Sequence, residues 1–209
     1  MELPLFLQEI IEYAEQLKLF EIAGVAFGLL CVWLLIKENV LTWPLALIHV
    51  VISLFIYWKV KLYADFGLYV FYFFMNLYGW YYWMYGKKRK KHQGEVPITH
   101  LKLNQFLIII GISIVGIAAL GTFFEKYTDA ALPYWDSATT VLSLSAMWIT
   151  ARKKIENWHF WFVIDIMAGI IYIVKGIYFY SFLYLVYVGM AVSGYLHWKK
   201  SMENQKAAA

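Results

Sequence analysis

At 209 residues the chain is 62% hydrophobic, 20% aromatic and only 15% charged, with a mean hydropathy of +0.59. That balance excludes a soluble globular domain and places the chain in a bilayer. A net charge of +4, concentrated in short loops, is a signal of membrane topology rather than a nucleic-acid surface.

In chain order, residues 1–20 carry Glu2, Glu9, Glu12 and Glu15 where a secretory leader would be basic. Their apolar residues recur at helical spacing, which predicts an amphipathic helix lying on the membrane surface. Apolar windows at about 22–36, 43–58 and 66–86 predict a first bundle of three spans over 21–86. The windows that fall short of the ~20 residues a straight span needs are extended by aromatic and polar flanks. Lys87, Lys88, Arg89, Lys90 and Lys91 open a basic loop at 87–102, and 103–124 is a fourth apolar window. Windows at 137–151, 157–174 and 177–198 predict a second bundle over 136–198, followed by a tail at 199–209. Cys31 is the single cysteine, so an intramolecular disulfide is excluded.

With the 87–91 block inside, Lys37, Lys102, Arg152, Lys153, Lys154, Lys199, Lys200 and Lys206 also face the cytoplasm. Glu125, Asp129, Asp136 and the acidic N-terminus then face outward. The positive-inside rule thus predicts a multi-pass protein of the plasma (inner) membrane, N-terminus outside and C-terminus cytoplasmic.

The chain contains itself twice. Shifted by 115 positions, residues 21–83 fall on 136–198 without a gap, and 13 of the 63 paired positions are identical. Trp33, Trp43 and Trp83 meet Trp148, Trp158 and Trp198; Tyr69, Tyr72 and Gly79 meet Tyr184, Tyr187 and Gly194. Apolar composition alone does not produce three Trp–Trp coincidences. Three spans reverse the side on which a bundle begins, so a fourth unpaired span is needed to set two copies parallel. Residues 103–124 match neither copy and supply it. The expected fold is all-α, seven transmembrane helices in a 3+1+3 arrangement of parallel repeats, SWEET-like, with substrate held between the halves near the midplane.

Positions where the copies differ are the better candidates for chemistry. Asp165 opposes Val50, Trp161 opposes Ala46, and Asn76 opposes Ala191. A carboxylate at mid-span costs several kcal/mol unless it faces a cavity or partner. Trp158, Trp161 and Asp165 share one helical face, two indoles and an acid that suit a flat cation. Tyr69, Tyr72, Asn76 and Trp80 also follow helical spacing; an intramembrane amide finds its partner in a neighbouring helix or in a substrate. Tyr72 and Tyr187 can bracket a ring from both halves or pack against helices. Ser143, Trp148, Asn157 and Trp80 are candidates to line or gate the cavity, although helix hydroxyls also bond back to their own backbone. No phosphate-binding loop or metal-ligand spacing is present, no cofactor or metal is expected, and no nucleophile–base pair points to an enzyme.

The stretches LYADFGLYVFYFFMNLYGWYYW (62–83) and PYWDSATTVLSLSAMWITARKKIENWHFWFVID (133–165) resemble the Pnu vitamin transporters, with a DxxTTxxS-like start, an ENWxxW element and an LYxD…YGWxxW element. The resemblance implies facilitated diffusion of a water-soluble B-vitamin, trapped afterwards by a cytosolic vitamin kinase, and a homotrimer among membrane lipids. The family divides among nicotinamide riboside, thiamine and riboflavin. Tyr69 stands where the nicotinamide riboside branch has Gln, and the DSATT…AMW…W…VD pattern resembles the thiamine branch. Thiamine is therefore the expected substrate, nicotinamide riboside the alternative, and a membrane receptor or sensor without net flux the alternative of a different class.

Overall fold

The computed structural model describes residues 19–59, 63–86 and 96–207. The expected surface helix at 1–20 lies outside the described residues except for Leu19 and Phe20, which begin the first described helix, and the basic block at 87–91 lies outside them altogether. Among the described residues there are seven helices: α1 Leu19–Ile36, α2 Thr42–Lys59, α3 Tyr63–Tyr85, α4 Leu103–Tyr127, α5 Pro133–Ala151, α6 Asn157–Val174 and α7 Tyr178–Ala207. Four of them (α2, α4, α6 and α7) are long and apolar enough to cross a membrane, and α1 adds a shorter apolar stretch, Gly24–Ile36. Proline at the start of α5 costs nothing, because its missing N–H has no partner in the first turn. The last helix outruns the sequence reading: residues 199–207 are helical, with Met202 buried and Gln205 accepting the Ile98 N–H at 3.1 Å.

Consecutive helices pack in each half, α1 on α2 on α3 and α5 on α6 on α7. The halves join where α3 packs on α5 and α7 on α1, so six helices close a ring. Among the described residues α4 packs on α5 alone, outside that ring.

The sequence repeat is a packing repeat. A Cβ on Gly79 would overlap the Trp43 indole, and one on Gly194 would overlap that of Trp158. Glycine leaves the notch into which each indole sinks. Each indole then meets a second Trp edge-on, Trp43 with Trp83 at 5.5 Å and Trp158 with Trp198 at 5.5 Å between centroids. The repeat extends to the turns. Asn39 N–H bonds Leu34 O at 2.9 Å and Glu38 N–H bonds Leu35 O at 3.0 Å; Lys154 and Lys153 do the same to Ile149 and Thr150 at 3.1 and 2.9 Å. Both helices end in this Schellman pattern.

Such an ending wants glycine at its left-handed residue, yet Glu38 (φ 56°) and Lys153 (φ 52°) hold that place. Each costs about 1–2 kcal/mol in that conformation. Their side chains explain their presence: Lys153 Nζ meets Glu38 Oε2 at 2.8 Å, with the two side chains 3% and 10% exposed. Lys153 also lies 4.9 Å over the Trp83 ring. Residues that hold the same place in two copies can touch each other only on the axis relating the copies. Trp83 and Trp198, 6.0 Å apart, mark the same axis.

Residues 96–101 strap this end of the ring. Thr99 pairs by backbone with Lys153 and Ile155, both at 3.2 Å, and Glu156 accepts the Leu101 N–H at 2.9 Å while meeting His100 at 2.8 Å. Nearby, Arg152 donates to the Tyr78 hydroxyl at 2.7 Å and lies over the Tyr82 ring. That hydrogen bond raises the guanidinium pKa against the opposing effect of partial burial.

Candidate functional site

Close to the Glu38–Lys153 pair in sequence, α1 and α5 contribute their last turns to a partly open cavity of about 100 Å³. Val32 and Met147, Leu35 and Thr150, and Ala46 and Trp161 all line it. Each couple is one position in both copies, so the cavity straddles the axis. Cys31, Thr42, Trp43 and Asn76 complete the wall.

The wall is two-fold in shape but not in chemistry. One side presents Leu35 and Ala46; the other presents a hydroxyl, Thr150, and an indole, Trp161. Asn76 is 2% exposed and donates to the Tyr72 carbonyl at 2.8 Å, one turn back on its own helix. That leaves Asn76 Oδ1 buried without a hydrogen-bond partner among the described residues. An orphaned buried acceptor costs about 1–3 kcal/mol. Asn76 and Trp161 both line the cavity, an unpaired amide oxygen and an indole, and an indole face attracts cations.

The other expected site residues disperse around this centre. The Tyr72 hydroxyl is within hydrogen-bond reach of Ser143 where α3 crosses α5. At the equivalent crossing of α7 and α1, the Tyr187 hydroxyl sits against Gly28. Tyr69 contacts Tyr72 at 5.6 Å between centroids, as Tyr184 does Tyr187 at 5.9 Å. Asp165 is buried but belongs to another surface. Asp165 lines an almost wholly apolar groove of about 600 Å³ between α6 and α7, among Ile166, Gly169, Ile170, Phe182 and Leu185. It lies within electrostatic reach of Tyr184 and Tyr187. Trp161 and Asp165, one shared face in the sequence reading, thus line two different spaces.

Trp158 fills the Gly194 notch, and Asn157, fully buried, donates to the Lys154 carbonyl at 2.6 Å. Trp148 is half-buried in a cluster with Ile109 and Ile110 of α4, and Trp80 is exposed. None of these four lines the axial cavity. Thr150 is a wall residue outside the sequence-based candidates; its difference from Leu35 in the other copy is the signal that marks it.

Comparison with known proteins decides the family. The model described as "Nicotinamide mononucleotide transporter" matches residues 18–200. The chain belongs to this family. The nicotinamide riboside transporter PnuC of Escherichia coli is 28% identical over 213 residues, spanning 90% of this chain and 88% of the relative. The riboflavin/roseoflavin transporter RibM of Streptomyces davaonensis is 25% identical over 179 residues, 85% and 83% of the two chains. In fold, the chain is similar to the crystal structure of the vitamin B3 transporter PnuC, with a TM-score of 0.67 at 23% identity over 87% of this chain and 81% of the other. This family member is accordingly a multi-pass membrane protein and a vitamin transporter of PnuC type, with transporters rather than enzymes as its relatives. The names of these relatives specify nicotinamide riboside and riboflavin.

Proposed function

We propose that the chain is a uniporter of the plasma membrane that carries nicotinamide riboside by facilitated diffusion, one molecule at a time, through the axial cavity. The observation that carries this reading is the cavity itself, bounded by both copies of three repeated positions and furnished with different polar groups by each half, Asn76 and Thr42 from one and Thr150 and Trp161 from the other. In this reading seven spans form a 3+1+3 set of parallel, SWEET-like repeats. The ring of six helices with α4 outside, and the spacing of 115 residues between equivalent contacts, support it. The basic loops support an outside N-terminus and a cytoplasmic C-terminus. Assembly as a homotrimer and trapping by a cytosolic kinase rest on the resemblance to the Pnu transporters.

Nicotinamide riboside replaces thiamine as the first reading because relatives spanning nearly the whole chain carry its name. Thiamine is the second reading, on Tyr69 and the DSATT…AMW…W…VD pattern. At about 100 Å³ the cavity is smaller than the roughly 300 Å³ of an ordinary ligand pocket, so the ring widens to admit a whole vitamin. Trp161 stacks on the substrate ring, Asn76 accepts its hydrogen bond, and Asp165 adds negative charge along α6. Tyr69, Tyr72, Ser143 and Tyr187 tune the seams between halves.

The test is a calorimetric and thermal-shift panel of nicotinamide riboside, thiamine and riboflavin on the purified protein. A substrate at ~100 Kd adds about 2.7 kcal/mol of stability. Counterflow in proteoliposomes then separates a carrier from a sensor. Binding of thiamine alone would reverse the substrate assignment, and binding without exchange would make the chain a receptor.

A further inference from the structure

Thr150 stands in the last turns of α5 and is 3% exposed. Its hydroxyl donates to the Ala146 carbonyl at 2.8 Å, the back-bond that helical threonines favour. With the hydrogen spent there, an oxygen lone pair faces α6, where the Trp161 Nε1–H donates to it at 3.1 Å. The indole so held forms one wall of the axial cavity. In the other copy the two positions are Leu35 and Ala46. Acceptor and indole therefore occur together in one half and are both missing from the other, as expected of two residues retained for one purpose.

A tryptophan ring turns about two bonds, and packing against a cavity constrains it on one side only. Fixing the N–H fixes the plane. We propose that Thr150 is a positioning residue: it sets the tilt of the Trp161 indole so that a flat substrate ring on the axis meets the indole face. Its own hydroxyl, committed to Ala146 and Trp161, has no hydrogen to offer a guest, so it acts through the indole. The inference rests on reading this cavity as the vitamin site.

Two measurements test it separately from that reading. In the ligand-free protein the Trp161 indole N–H resonance, assigned by its loss in Trp161→Phe, should exchange slowly with solvent. Exchange should be fast in Thr150→Val and slow again in Thr150→Ser. Calorimetry with nicotinamide riboside should show roughly tenfold weaker binding for Thr150→Val, the loss of about one hydrogen bond, and binding within about twofold of the parent for Thr150→Ser. In a Trp161→Phe background, where no indole N–H is left unpaired, Thr150→Val should weaken binding no further. Unchanged indole exchange in Thr150→Val would overturn the inference, as would unchanged affinity or an equal loss in the Trp161→Phe background. If the parent protein bound no vitamin while indole exchange behaved as expected, the vitamin reading would fall and the fixing of the indole by Thr150 would stand.

Discussion

The buried ion pair on the axis yields the sharpest expectation. Lys153 and Glu38 meet at 2.8 Å with 3% and 10% side-chain exposure, so each charge depends on the other for its solvation. Removing one partner of such a pair costs about 3–5 kcal/mol, because the survivor stays buried and uncompensated. At roughly 2–4 °C per kcal/mol for a chain of this size, Glu38→Gln should lower the Tm by about 6–20 °C. In Glu38→Gln with Lys153→Met neither charge is left behind. The remaining cost is the contact of Lys153 over Trp83, about 2 kcal/mol for a desolvated cation. The double variant should therefore melt above Glu38→Gln alone. Thermal unfolding of the purified protein in detergent, with both single variants and the double, closes the cycle. If the double variant lost the sum of the two single losses, the charges would not interact and the argument would be wrong.

Gly79→Ala and Gly194→Ala should each destabilise by about 1–3 kcal/mol as the new methyl is driven into Trp43 or Trp158. Gly189→Ala, with open space at its Cβ, should stay within ~1 kcal/mol of the parent in the same melting assay. Asp165→Asn should weaken nicotinamide riboside, which is cationic, by about tenfold, or 1.4 kcal/mol, yet leave binding of neutral nicotinamide unchanged; equal losses for both ligands would remove the charge argument. Uptake into ionophore-treated vesicles should continue after the proton gradient collapses. Uptake that stopped would make Asp165 a candidate proton carrier instead.

The parts of the fold legible in the sequence were those fixed by steric exclusion. An indole as deep as Trp43 requires a residue without a Cβ opposite it, so Trp43 with Gly79 recurs as Trp158 with Gly194 at one spacing. The same comparison picked out Trp161 and Asn76, which do share the axial cavity. It failed where the outcome depends on which neighbour a side chain meets. Asp165 and Trp161 lie close in angle on the helical wheel, but α6 is gripped by α5 on one side and α7 on the other, and two residues four apart end in different spaces. Lys153 read as one positive charge among thirteen on the cytoplasmic side; nothing local announces that it turns inward to Glu38, 115 residues earlier. Trp148 has a repeat partner in Trp33, yet the first packs, with Ile109 and Ile110 of α4, against a buried cluster while the second is exposed, an asymmetry that follows from packing and not from either copy's sequence.

The Glu38–Lys153 contact also says something about ancestry. An assembly of two identical half-length subunits would bring a residue on its axis face to face with its own copy, Glu against Glu or Lys against Lys. It would also give its central chamber two matching walls, a poor host for a molecule that lacks two-fold symmetry. Joining the halves in one polypeptide frees the two genes' worth of positions to diverge. Like-charge repulsion at the dyad becomes attraction, and the chamber gains two walls of different chemistry, Asn76 in one and Thr150 with Trp161 in the other, so that a vitamin can be held in one orientation.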